Sequence, residues 1–289
     1  MSIMHYTERM WDGLFNPSKE RGKIIMFKPK FRLVLTGILS LSLLALAGCG
    51  STSAPAPTTP APAEKILKIG SDIAYAPFEF MDEKQQATGF DIELINALGA
   101  DMGYTKVKIE TSAFDGLLAA LQVGKYDAVI SAMTITEKRA KSVQFSDKYF
   151  RAIQYIAMKK GSNFKTLADL KGKKVGVQIS TTGQEVAEKN GIETRKFDTT
   201  PDAMNDLLNG GVEAVIADGP VVLWFQTQNE KAEIASVEAD VEEEFYGIAM
   251  KLDNKELGDK MNASLKKLME NGKYNEIYKK WFKIDAPKL

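Results

Sequence analysis

From Ile66 onward the chain alternates short apolar runs with segments that carry a helical repeat. Ile66-Leu-Lys-Ile-Gly70 predicts a strand, followed by a loop through Pro77 and a helix on the period Ile92, Leu94, Ile95, Leu98. Val107-Lys-Ile109 predicts a second strand, Leu117, Leu118 and Leu121 a second helix, and Asp127-Ala-Val-Ile-Ser131 a buried strand. A second set runs from the strand Lys174-Val-Gly-Val-Gln178 through a helix to the strand Glu213-Ala-Val-Ile-Ala217. Strands separated by helical periods predict βαβ units and a mainly parallel sheet. The sets echo each other: Gly124-Lys-Tyr-Asp-Ala-Val-Ile130 matches Gly210-Gly-Val-Glu-Ala-Val-Ile216, a glycine turn feeding a buried strand. The pattern predicts two similarly built α/β lobes sharing one site beyond the carboxyl ends of their strands. Near the C-terminus, Leu268, Tyr274, Ile277, Tyr278 and Trp281 recur at near-helical spacing, predicting one amphipathic helix that faces the core.

The first 65 residues follow another pattern. Leu33 to Gly48 is apolar, preceded by Lys28, Lys30 and Arg32, and ends at Leu46-Ala47-Gly48-Cys49. A basic n-region, an apolar h-region and a small-residue cleavage site make residues 26–48 a signal peptide. The apolar run is shorter than the roughly 20 residues a spanning helix needs. Cys49 is the only cysteine, so it has no disulfide partner, and its place behind Leu-Ala-Gly matches the lipobox of bacterial lipoproteins. The expectation is cleavage before Cys49, acylation (palmitate) of that residue, and a protein held outside the cytoplasm by lipid. That is the outer face of a Gram-positive cell membrane or the periplasmic side in a Gram-negative cell. Residues 1–25 are polar and mixed in charge, unlike an n-region, and are expected to come from an over-extended reading frame with the true start at Met26. The tract Gly50 to Ala63, rich in Pro, Ser, Thr and Ala, lacks a packable face and predicts an extended tether over residues 49–65.

Charge narrows the function classes. The first 48 residues hold seven basic and three acidic side chains of the 38 and 38 in the chain, which leaves residues 49–289 at −4. A mildly acidic body has no footprint for nucleic acid. The single histidine, His5, precedes Cys49. The processed chain therefore lacks Ser-His-Asp chemistry, histidine-ligated metal and histidine proton shuttling, and acylation of Cys49 removes thiol catalysis. Binding without a cofactor or metal is the expected activity, and an enzyme is not.

Candidate binding residues gather where strands end and helices begin. Thr136 is a good N-cap, and Arg139, in the first turn after it, could fork onto a carboxylate. Surface pairing of Arg139 with Asp147 or Glu137 explains the same residues equally well. In the second set Gln178 ends a strand, and Thr182 with Glu185 reads as a capping box, T-x-x-E. Asp218 follows a strand and precedes a Gly219-Pro220 turn, where it could hold an ammonium group. Asp72 follows the first strand, and Tyr75 and Phe114 lie near strand ends, where they could clamp a ligand side chain but core packing explains them better.

Ala76-Pro-Phe-Glu-Phe80, Gly89-Phe-Asp-Ile-Glu-Leu94, Ser131-Ala-Met-Thr-Ile-Thr136 with Arg139, Phe145-Ser-Asp-Lys-Tyr149 and the run Gly272 to Phe282 resemble the polar amino-acid-binding proteins of ABC importers. These are the family 3 extracellular solute-binding proteins, and the resemblance spans Ile66 to Phe282. It implies a periplasmic-binding-protein-like type II fold, two α/β lobes joined by two hinge strands with the ligand cleft between them. Lobe 1 would comprise residues 66–149 plus 248–285 and lobe 2 residues 154–243, with hinges near 149–153 and 244–248. By position, Arg139 and the amides of Thr134 and Thr182 would take an α-carboxylate. Asp218, the Ala132 carbonyl and the Thr134 hydroxyl would take an α-ammonium. Tyr75 and Phe114 would sandwich the side chain; Met133 belongs to the same segment. The implied partners are an amino acid and an ABC permease with its ATPase, served by a monomer.

Asp72 matches the position that meets the ligand's far end, where a carboxylate favours a donor and repels glutamate or aspartate. Gln178 and Ala217 stand where glutamine binders of the family tend to carry Lys and His. The resemblance thus points to arginine or lysine first and glutamine second. An exported dehydratase on the same fold is a further reading, disfavoured because its substrates carry extra carboxylate beside Asp72.

Overall fold

The computed structural model describes residues 64–289. The leader, Cys49 and the tract up to Ala63, with the expectations attached to them, lie outside the described residues. The chain forms β1 (Ile66–Ser71), the hairpin β2 (Phe80–Met81) and β3 (Ala87–Thr88), α1 (Phe90–Asp101), β4 (Lys106–Thr111), α2 (Leu117–Gln122), β5 (Ala128–Val129), α3 (Glu137–Ala140) and β6 (Val143–Phe145). After β7 (Phe150–Ala152) come β8 (Gln154–Lys159), β9 (Lys174–Gln178), α4 (Thr182–Lys189), β10 (Glu193–Phe197), α5 (Thr200–Asn209), β11 (Ala214–Asp218), α6 (Gly219–Gln228) and β12 (Ile234–Glu238). β13 (Glu244–Tyr246) leads back to β14 (Ala249–Lys251), α7 (Lys255–Glu270) and α8 (Lys273–Phe282).

These elements build two α/β lobes on five-stranded sheets, ordered β4-β1-β5-β14-β6 and β10-β9-β11-β8-β12. β5 and β11, the strands that carry the internal echo, are each the third strand in order. Both are fed by a glycine at φ +79°, Gly124 and Gly210. β7 and β13 pair antiparallel as a separate ribbon, Glu244 opposite Ala152 and Tyr246 opposite Phe150.

The sheets are mixed rather than mainly parallel. β14 runs antiparallel to β5 and β6, and β8 antiparallel to β11 and β12. Both strands enter straight from the ribbon, without the crossover helix that a parallel neighbour requires. The strand expected over Asp127–Ser131 is paired only at Ala128 and Val129. Beyond it the chain bends away, and Ala132 adopts φ +43°.

The core of the first lobe is aromatic. α1 buries Phe90, Leu94, Ile95 and Leu98 against β1, whose Leu67 and Ile69 are buried. Phe90 meets Phe282 at 5.3 Å between ring centroids, and Phe150 stacks on Tyr278 at 5.5 Å. Burying each such side chain stabilises by about 1.5–3 kcal/mol. The C-terminal amphipathic stretch is two helices, not one: Gly272, at φ +83°, takes the left-handed conformation that ends α7 and starts α8. Leu268, Tyr274, Ile277 and Tyr278 are buried as a core-facing helix requires, and Trp281 is partly buried. Among the described residues, no helix is long and apolar enough to cross a membrane.

Candidate functional site between the two lobes

Asp72, Tyr75, Phe114, Ser131, Ala132, Thr134, Arg139, Gln178, Thr181, Thr182 and Asp218 line one cavity between the lobes. Its enclosed space is about 20 Å³, on the scale of a water or two, because side chains reach across it. Gln178 Nε2 donates to Asp72 Oδ2 at 2.7 Å, and Arg139 Nη2 donates to the Ser180 carbonyl at 2.9 Å. Outside, Lys138 pairs with Glu185 at 2.9 Å. A ligand the size of an amino acid needs these contacts to part.

The positive charge of the site is Arg139. Thr136 caps α3, its hydroxyl accepting from the Arg139 amide at 3.2 Å, which directs the helix away from β5 and brings Arg139 back to the cavity. The guanidinium donates to the Thr134 carbonyl at 2.7 Å and lies over the Phe114 ring at 5.3 Å. Neither Asp147 nor Glu137 forms an ion pair with it among the described residues. Burial pushes its pKa down while Glu185, Glu244 and Asp218 push it up. A guanidinium stays protonated under such pressures.

The acidic end centres on Asp218, at the close of β11. It accepts from Gln154 Nε2 and from the Tyr246 hydroxyl. Burial raises its pKa to about 7, with the Glu244 charge adding to the rise and hydrogen bonds from Tyr246, Tyr75 and Gln154 opposing it. Gly219-Pro220 is the first turn of α6, not a free turn, since Pro suits a helix start. Burial lifts the pKa of Asp72 to about 6, the Gln178 hydrogen bond resists, and Asp115 adds to the rise. Gln178 is held in turn: its Oε1 accepts from the Thr200 hydroxyl at 2.9 Å and its Nε2 also donates to the Asp198 carbonyl.

Two placements depart from the sequence reading. The cap of α4 is Thr181, whose hydroxyl accepts from the Gln184 amide; Thr182 is the first helical residue, and Glu185 turns out to Lys138 instead of closing a capping box. Thr181 serves because its backbone is extended while Thr182 is already helical. Met133 does not line the cavity: it is buried with Leu117, Leu121 and Val143, and its carbonyl accepts from the Gly247 amide.

Other residues shape the site without having been singled out. Glu79 and Asp91 are both buried, each keeps one carboxyl oxygen without a hydrogen-bond partner, and burial raises both carboxyls, so that one proton between them would satisfy the two free oxygens. Asp91 accepts from the Ala132 amide at 2.8 Å and the Tyr149 hydroxyl at 2.7 Å. Glu79 accepts from the Ser131 hydroxyl, which itself accepts from the Asp72 amide at 3.0 Å. The pair thereby fixes the backbone of the segment that lines the cavity. Glu244 accepts from Thr134 and Thr182, both at 2.7 Å. Two acidic residues twelve apart, one in Pro-Phe-Glu-Phe and one after Gly-Phe, offered no sequence signal of pairing. Among the described residues no cluster of His, Cys, Asp and Glu could hold a metal ion.

The chain is similar to known amino-acid-binding proteins. Residues 67–284 match the family model of bacterial extracellular solute-binding proteins, family 3. The L-arginine-binding protein of Pseudomonas aeruginosa is 35% identical over 267 residues, 88% of this chain and 98% of that protein. An ancestral arginine-binding protein bound to glutamine is 43% identical with a TM-score of 0.73, covering 75% of this chain and 98% of the other. The arginine-, lysine-, histidine-binding protein of Geobacillus stearothermophilus is 41% identical with a TM-score of 0.73, covering 77% and 97%. The chain belongs to family 3 of the bacterial extracellular solute-binding proteins, a family of amino-acid receptors for ABC importers.

Proposed function

We propose that this protein is the receptor of an ABC importer for a basic amino acid, arginine or lysine, with glutamine as a second ligand. The observation that carries the proposal is that one cavity is lined by a guanidinium and two carboxylates, Arg139, Asp218 and Asp72. The first two suit a zwitterion, and the third suits a side chain that donates. Arg139 with the Thr134 and Thr182 amides takes the α-carboxylate. Asp218 with the Ala132 carbonyl and the Thr134 hydroxyl takes the α-ammonium. Tyr75 and Phe114 flank the side chain, and Gln178 helps Asp72 to set its far end. Relatives described as binding arginine support the first ligand. Glutamine is supported by the ancestral relative that holds it and by the raised pKa of Asp72, which lets a neutral ligand compete.

In this reading the ribbon of β7 and β13 is the hinge, between a lobe of residues 66–149 plus 248–285 and a lobe of residues 154–243. The protein works as a monomer, delivers its ligand to the permease and its ATPase, and is held at the membrane by acylated Cys49. A thermal-shift screen of the twenty amino acids, followed by calorimetry on those that stabilise, tests the ligand. Arginine or lysine should raise the melting temperature most, and a screen in which no amino acid does so rejects the proposal. Loss of the protein from the membrane fraction on Cys49→Ala tests the anchor.

A further inference from the structure

Glu244 lies on the ribbon rather than in either sheet, and it does not line the small cavity. It lines a larger outer groove together with Thr134 and Thr182, which line both spaces. Its carboxylate thus reaches the two hydroxyls without itself lining the cavity. Thr134 Oγ1 and Thr182 Oγ1 each donate to Glu244 Oε2 at 2.7 Å. On the other oxygen, Glu244 Oε1 accepts from Gln154 Nε2 at 3.2 Å, and that same amide nitrogen donates to Asp218. One carboxylate therefore joins the first lobe (Thr134), the second lobe (Thr182 and Gln154) and the ribbon between them.

A hydroxyl has one proton to give and two lone pairs. An ionised carboxylate only accepts, so the protons of Thr134 and Thr182 are drawn toward Glu244. The free face of Thr134 Oγ1 is then lone pair, and the oxygen can accept from an ammonium group in the cavity. An alkyl side chain at position 244 would leave that hydroxyl free to turn its proton inward, against the ligand's N–H, and an amide could accept from the hydroxyls only by setting its NH2 against the Gln154 NH2. The negative charge of Glu244, which raises the pKa of Asp218, also adds to the potential that attracts a cation there.

We infer that Glu244 is a positioning residue for ammonium recognition, setting Thr134 Oγ1 as an acceptor and reinforcing Asp218 without touching the ligand. This rests on the amino-acid-binding reading above. The test uses L-arginine and 5-guanidinopentanoate, the same molecule without its α-ammonium, each titrated by calorimetry into the full chain. Glu244→Gln should weaken arginine about tenfold, the scale of one charge-assisted hydrogen bond, and change 5-guanidinopentanoate less than threefold. The same pair measured on Thr134→Val, which leaves Glu244 in place, should show the same selective loss. In the double variant Glu244→Gln should add less than threefold to that loss. Equal losses for both ligands would show that Glu244 only ties the lobes together and would overturn the inference, as would no loss for either. A wild-type protein that binds no amino acid overturns the proposed function instead, which is a separate result.

Discussion

Gln178, at the end of β9, donates through Nε2 to Asp72 Oδ2 at the end of β1, 2.7 Å away across the two lobes. Thr200 and Asp198 hold the amide of Gln178 in the orientation that makes it the donor. In the proposed binding mode the Gln178 amide stands where the guanidinium, ammonium or carboxamide of a ligand would meet Asp72. Asp72→Asn should weaken arginine by about 2–5 kcal/mol, the cost of losing one member of a buried charge pair, and weaken glutamine by clearly less. Calorimetry with both ligands checks this, and equal losses would reject the assignment of Asp72 to the side chain.

Arg139 is tied to the Thr134 carbonyl and the Ser180 carbonyl, one contact in each lobe. Arg139→Ala should abolish measurable binding of every amino acid, because in the proposed binding mode it removes the group that meets the α-carboxylate all of them share. Arg139→Lys keeps the charge and loses the planar fork, so it should bind far more weakly than the wild type but in the same order of ligands. A changed order would mean that Arg139 reads the side chain instead.

The raised carboxyls make pH effects of opposite sign with and without ligand. An ordinary Asp in the unfolded chain loses its proton near pH 4, while Asp218 in the fold holds it up to about 7 and Asp72 up to about 6. Without ligand, the stability these protons contribute is fully present below pH 4 and is lost as pH rises toward 7. Cationic groups of a ligand require the ionised forms. Affinity should therefore fall as pH drops from 8 to 5, by up to about tenfold per unit for each carboxyl, and binding near pH 6 should release protons. Calorimetry in buffers of different ionisation enthalpy measures that release. Asp218→Asn should flatten the stability slope between pH 4 and 7.

Burial raises the carboxyls of both Glu79 and Asp91 beneath the cavity-lining segment, and a proton shared between their free oxygens would relieve both. Glu79→Gln replaces the protonated acid with another donor, so it should cost less than about 1 kcal/mol of stability. Glu79→Ala leaves Asp91 buried without that partner and should cost about 3 kcal/mol or more. Urea unfolding distinguishes the two, and equal costs would show that the proton is not shared.

Trp224, on α6 of the second lobe, packs against Phe80 and Trp281 of the first, at 5.9 Å and 6.3 Å between ring centroids. These are the only two tryptophans after Cys49. Separating the lobes would bring both indoles toward water. Ligand binding should shift tryptophan emission to shorter wavelength, and Trp224→Phe should remove most of that shift. An unchanged spectrum on saturation with a ligand proven by calorimetry would contradict it.

Much of this was legible from local pattern. The glycine-fed strands at Gly124 and Gly210 occupy equivalent places because each apolar run must sit between neighbours in a sheet. Arg139 could be singled out because a threonine three residues before it caps a helix. The cap of α4 was misread by one residue, since Thr181 and Thr182 are adjacent and only backbone conformation separates them. The break at Gly272 was missed because the apolar spacing continues across it.

By itself the sequence determined the alternation of strands and helices and the pairing of two similar halves, and it offered Arg139 and Asp218 as charges that could meet a zwitterion. These follow from periodicity and from chemistry carried within a few residues. Only the tertiary structure decided that Glu79 meets Asp91, that Gln178 meets Asp72 and that Glu244 takes the hydroxyls of Thr134 and Thr182. Those contacts join segments up to 110 residues apart. Which acid faces which donor is set by how two lobes close on a shared ribbon, and no local pattern along the chain carries that geometry.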